Sequence, residues 1–108
     1  MKQLLWYLLA GTRGGLNRIR IIEALLERPY NAHQLSEELG LDYRTMRHHL
    51  DVLIKNHVLS RPEGKAYGSM YFVSGALEPY LDVFEQIRAS VVGDSGEILA
   101  NSNKKARE

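Results

Sequence analysis

The chain has 108 residues, 14 Lys and Arg against 13 Asp and Glu, and a formal net charge of +1, which suits a single domain and excludes a global basic field for a nucleic-acid partner. It has no Cys, which excludes disulfides, thiolate metal sites and thiol nucleophiles and agrees with a reducing cytoplasm. A core of this size is modest, so a dimer is in view from the start.

Met1 to Ala10 reads as a first helix, with Leu4, Leu5, Leu8 and Leu9 on one apolar stripe beside Trp6 and Tyr7. The run Leu4 to Ala10 falls far short of the about 20 apolar residues of a spanning helix, and it lacks the length and cleavage region of a secretory signal. It is a packing helix. Gly11, Gly14 and Gly15 break it, and Leu16 to Arg28 follow as a second helix with Leu16, Ile19, Ile22, Leu25 and Leu26 at helical spacing, ended by Pro29.

Asn31 stands at an N-cap position with Gln34 three residues on, the signature of a capping box, and predicts a third helix from Ala32 to Leu39. Gly40 supplies a left-handed stop and Asp42 caps a fourth helix, residues 43–57, so the link between the two is a tight turn. In the fourth helix Met46, Leu50 and Leu53 form the inward stripe with Ile54 at its edge, leaving Tyr43, Arg44, Arg47, His48 and Asp51 facing away.

After His57 the pattern turns extended. Val58 to Arg61 and Tyr67 to Val73 read as two strands of a β-hairpin around Pro62-Glu63-Gly64-Lys65. Leu77 to Val92 is the last helix, with Leu77, Tyr80, Leu81, Phe84, Ile87 and Val91 along one face, and residues 93–108 are a polar tail expected to be frayed or disordered.

This order of elements is mainly α with a small β-hairpin, the layout of a winged helix-turn-helix, whose second helix enters the DNA major groove. The domain spans residues 1–92: an N-terminal helix at 1–10, a DNA-binding core at 15–73 and a C-terminal helix at 77–92. The helix 43–57 is expected to read double-stranded DNA through Tyr43, Arg44, Thr45, Arg47 and His48, since Arg pairs bidentately with guanine, Tyr and His carry a polar tip on a flat ring, and Thr reaches a thymine methyl or a phosphate. In the wing, residues 61–68, Arg61 and Lys65 are expected to meet the backbone or the minor groove. Between Asp42 and Lys65, five Lys or Arg face three acids, a favourable but small local excess, and Glu63 argues against a tight phosphate clamp.

From Arg13 to Val73 the chain resembles the DNA-binding core of the arsenical-resistance-repressor (ArsR-like) winged-helix regulators, especially their archaeal branch. The residues that carry the resemblance are NAHQLSEELGLDYRTMRHHLDVL, with Leu35, Leu39, Leu41, Met46, Leu50 and Leu53 on the hydrophobic positions, and the wing RPEGKAYGSMYFV. It implies a homodimeric, sequence-specific transcription regulator, often a repressor. The chain departs from the metal-sensing members in having no Cys, so their thiolate sensor sites have no ligands here.

Other residues invite narrower readings. His49 is rotated about 100° from His48 on a helix, so the two imidazoles do not readily grip one ion, and no metal or other cofactor is expected. His49 reads instead as a half-buried packing residue or a phosphate donor. The run GTRGGLNR, Gly11 to Arg18, precedes a helix N-terminus where a DNA phosphate could be held with help from Arg13 or Arg18, but it lacks the Lys-Ser/Thr of a nucleotide loop.

The apolar first and last helices are expected to build a two-fold interface from Leu4, Leu5, Leu8, Tyr80, Leu81, Phe84 and Ile87. An enzyme is not expected, for want of an activated nucleophile or an acid/base constellation. The alternative to a DNA-binding regulator is a winged-helix protein-interaction module, favoured by the near-neutral charge.

Overall fold

A computed structural model describes residues 1–62 and 68–93. In chain order these form α1 (Lys2–Ala10), α2 (Gly15–Glu27), β1 (Tyr30–Asn31), α3 (Ala32–Leu39), α4 (Tyr43–Lys55), β2 (Leu59–Ser60), β3 (Met70–Val73), a 3-10 turn (Gly75–Tyr80) and α5 (Leu81–Val92). The fold is a winged helix-turn-helix, and it divides into two compact units, residues 17–79 and residues 1–16 with the described chain from Tyr80 onward.

In the unit 17–79 the local signals act as the sequence implies. The Asn31 side chain accepts from the Gln34 N–H at 2.8 Å and the Gln34 side chain accepts from the Asn31 N–H at 2.9 Å, a complete capping box that starts α3. Gly40 stops it in the left-handed region, φ 68°, and Asp42 caps α4 by accepting from the Thr45 N–H at 3.1 Å. The end of α4 takes a Schellman form: His57 has φ 64°, its N–H donates to the Ile54 carbonyl and the Val58 N–H donates to the Leu53 carbonyl. The core between these elements is Ile19, Ile22, Leu35, Met46, Leu50, Leu53 and Val58, all fully buried.

Among the described residues the sheet has three strands where the sequence suggests a hairpin. β3 lies in the middle, antiparallel to β2 through Leu59–Val73 and Ser60–Phe72 and to β1 through Tyr30–Tyr71 and Asn31–Met70. β1 is two residues long and has no alternating pattern of its own to betray it. It has a local consequence, because Asn31 is at once a strand residue and the cap of α3, so the start of α3 is tied to the wing strand.

In the other unit α1 and α5 pack together, burying Leu5, Leu8 and Leu9 on one side and Val83, Phe84, Ile87 and Val92 on the other. The α-helix begins at Leu81, later than the apolar spacing from Leu77 suggests, because Pro79 has no N–H to donate and steers Glu78 away from α geometry. Leu5, Leu8, Phe84 and Ile87, expected at a two-fold interface, are 0–3% exposed in the single chain and already spent on its own packing. Leu4, Tyr80 and Leu81 stay half-buried, while Tyr7 is 62% and Val91 36% exposed.

Candidate nucleic-acid interface

α4 is buried along Met46, His49, Leu50 and Leu53, which turns Arg44, Thr45 and His48 outward as exposed side chains in its first two turns. Asp51 and Lys55 continue this exposed stripe at i+7 and i+11 from Arg44. Arg44, Thr45 and His48 thus offer a cation, a hydroxyl with a methyl, and an imidazole on one solvent face.

Tyr43 and Arg47 behave differently. Both are half-buried, the Arg47 guanidinium donates from Nη1 to the Tyr43 hydroxyl at 3.1 Å, and its carbon lies 5.9 Å from the Tyr43 ring centroid. The hydrogen bond it donates to Tyr43 raises the Arg47 pKa above its ordinary value against the opposing effect of burial, so this group is a permanent cation. Tyr43 also stacks on His33 of α3, with ring centroids 4.6 Å apart and an interplanar angle of 26°. The helix pair is therefore braced at its entrance by a row of His33, Tyr43 and Arg47.

Of the wing residues, Arg61 is half-buried and close enough to Tyr71 to favour its ionised form, although burial dominates and raises the Tyr71 pKa. Lys65 lies outside the described residues, as do the rest of the segment 63–67 and the tail from residue 94.

Of the two readings of His49 the packing one holds, with the side chain buried rather than half-buried, and the phosphate-donating one does not. His49 is 5% exposed, and its Nδ1 accepts a hydrogen bond from Arg18 Nε at 3.2 Å. Arg18 is itself 7% exposed and engaged inside the unit, so it does not serve a phosphate at the start of α2. Arg20 is a further residue that the spacing did not single out. Its Nη2 donates to the Leu39 carbonyl at 2.8 Å and its Nη1 to Asn17 Oδ1 at 3.2 Å, so a cation sits on the C-terminal end of α3, where the helix dipole favours it, just before the turn into α4.

This geometry can be set beside known proteins. Residues 17–58 match the family model described as bacterial regulatory protein, arsR family. The segment is ArsR-like. The ArsR-like segment runs from within α2 to the residue before β2, so it holds the whole helix pair, and a DNA-binding transcription regulator is the class of function the match supports. Among solved structures, Rv0081 of Mycobacterium tuberculosis is similar with a TM-score of 0.62 and 25% identity over 87% of this chain and 91% of that one. Reduced HlyU from Vibrio cholerae is similar with a TM-score of 0.57 and 20% identity, over 80% of this chain and 81% of that one. The PcaV transcriptional regulator from Streptomyces coelicolor has a TM-score of 0.61 at 16% identity, over 98% and 78% respectively. The last two likenesses speak for the fold alone. No curated protein matches the chain in sequence. Among the described residues, no helix is long and apolar enough to cross a membrane.

Proposed function

We propose that the chain is a sequence-specific regulator of transcription that binds double-stranded DNA as a homodimer in the cytoplasm, acts as a repressor, and belongs to the archaeal branch of ArsR-like proteins. The observation that carries this reading is the first two turns of α4, where Arg44, Thr45 and His48 stand exposed over a buried Met46–Leu50–Leu53 stripe. A helix entering the major groove reads base edges with those turns. Tyr43 and Arg47 line the same end of α4, and Arg61 and Lys65 of the wing meet the backbone or the minor groove.

A two-fold axis sets the two α4 helices about 34–36 Å apart, one turn of DNA. The contact uses the parts of α1 and α5 that the single chain leaves uncovered, Tyr7 and Val91 with the half-buried Leu4, Tyr80 and Leu81. Sedimentation of wild type against Val91→Glu and Leu81→Glu tests it: a dimer that becomes a folded monomer in the variants is the expected result, and a wild-type monomer at high concentration rules it out.

The function itself is tested by selecting genomic duplexes that the purified protein retains at two salt concentrations, in parallel with Arg44→Ala. An inverted repeat recovered by wild type and degraded in the variant is expected. Equal retention of scrambled duplexes would count against sequence reading. The competing reading, a protein-interaction module, draws on the net charge of +1 and predicts no DNA retention even at low salt.

A further inference from the structure

The junction tying β1 and the start of α3 to β3 encloses, with α4, a cleft of about 210 Å³, lined among others by Asn31, His33, Tyr43, Arg47, Ser69 and Tyr71. All of these belong to the unit 17–79. Two of the lining side chains carry buried polar atoms with no hydrogen-bond partner among the described residues: Nε of Arg47 and the hydroxyl of Tyr71, a residue only 1% exposed. A guanidinium has donors and no acceptor, so whatever satisfies Arg47 Nε must bring an acceptor. Burial holds the Tyr71 hydroxyl in its protonated, donating form. Among the described residues no carboxylate lines the cleft, Asp51 acts on Arg47 and Tyr71 through its field, and Arg61 adds positive potential at Tyr71. The first two residues of α3 also line the cleft, at the helix end that favours negative charge.

We propose that this cleft is an effector site for a small oxyanion, of phosphate or short carboxylate size, which accepts from Arg47 and Tyr71. The volume is that of roughly seven water molecules, enough for such an ion and too little for a backbone phosphate with both of its sugars. A duplex is a stiff rod, and the Tyr71 hydroxyl is beneath the surface it would rest on. Tyr43 and Arg47 also belong to the end of α4 proposed to meet DNA, so an anion held in the cleft offsets the Arg47 charge there and weakens DNA binding. This second effect rests on the proposed regulator function, whereas the binding of the ion does not.

The test has two arms, both on the full chain. In the first, without DNA, inorganic phosphate, acetate and chloride are titrated at matched ionic strength while heat and the Arg47 Nε–H resonance are followed. Saturable one-site binding of phosphate or acetate is expected, with a shift of that resonance and at least a tenfold loss of affinity in Tyr71→Phe. The variant should melt at or above the wild-type temperature, because it removes only a hydroxyl without a partner. Equal responses to chloride, or unchanged affinity in Tyr71→Phe, overturn the site and leave ordered water as the partner of both groups. In the second arm the binding ion is added to a selected duplex complex at constant ionic strength. Loss of duplex affinity in wild type and not in Tyr71→Phe is expected, and an unaltered complex overturns the effector role. Should Tyr71→Phe weaken the duplex while no free ion binds, the cleft takes a DNA phosphate instead. Should no duplex bind at all, the regulator reading fails, and the first arm still decides the site.

Discussion

Arg18 of α2 donates from Nε to Nδ1 of His49 across 3.2 Å, joining two buried polar side chains through the middle of the helix-turn-helix core. An accepting Nδ1 carries no proton, so the imidazole is neutral and its proton sits on Nε2. Burial lowers the His49 pKa most, and the positive charges of Arg18 and His48 lower it further. The unfolded chain then takes up a proton on His49 at a higher pH than the folded one does. Its contribution to stability is therefore complete above the unfolded value of about 6.5 and is lost as pH falls from there through the lowered folded value. Urea midpoints should drop between pH 8 and pH 5, and His49→Gln, which keeps an acceptor for Arg18 and does not titrate, should flatten that drop. An identical pH profile in the variant would assign the effect to other groups.

The pair also shows what the sequence holds and what it hides. His49 stands three residues after Met46 and four before Leu53, and Arg18 stands four and seven residues before Ile22 and Leu25, so both lie on the apolar faces of their helices. Their chemistry argued for the surface, while their spacing argued for the core, and spacing prevailed because each satisfies the other. The caps Asn31, Gly40 and Asp42 were legible because each acts within four residues of itself. By contrast β1 and the stack of His33 on Tyr43 depend on segments brought together only by folding, and no local pattern announces them.

The capping box makes a quantitative prediction. Asn31→Ala removes the acceptor for the Gln34 N–H and should cost about 1 kcal/mol, read from denaturant midpoints at constant slope. Asn31→Asp keeps the acceptor and should stay close to wild type. A loss of equal size in both variants would assign the effect to the β1–β3 pairing at Asn31 instead.

Gly15 reads in the sequence as a helix breaker, yet the structure gives it a steric reason to be Gly. An added Cβ would lie 2.1 Å from the Leu9 carbonyl oxygen and 2.6 Å from its carbon, both backbone atoms that no rotamer change can move aside. Gly15→Ala should therefore destabilise the fold by about 1–3 kcal/mol or more, as overpacking does. Gly75 has nothing within 4 Å of the same position and an ordinary φ, so Gly75→Ala should change stability by no more than about 0.5 kcal/mol. Thermal melts of the two variants side by side check this, and similar losses would show that space is not what selects Gly15.

The two arginines of α4 should differ in how they fail. Arg44 is exposed and its removal leaves the helix surface intact, so Arg44→Ala should relax the preference at one base pair of each half-site, by about 1–3 kcal/mol if the contact is bidentate. Arg47 is half-buried and holds the hydroxyl of Tyr43, whose ring stacks on His33. Arg47→Ala should loosen that row and weaken binding to all duplexes more evenly, with a lower melting temperature than Arg44→Ala. Affinities for the selected site and for single-base variants of it, measured at one salt concentration, separate the two patterns. If Arg47→Ala erases one base preference without any loss of stability, Arg47 leaves the Tyr43 ring on binding and reads a base directly.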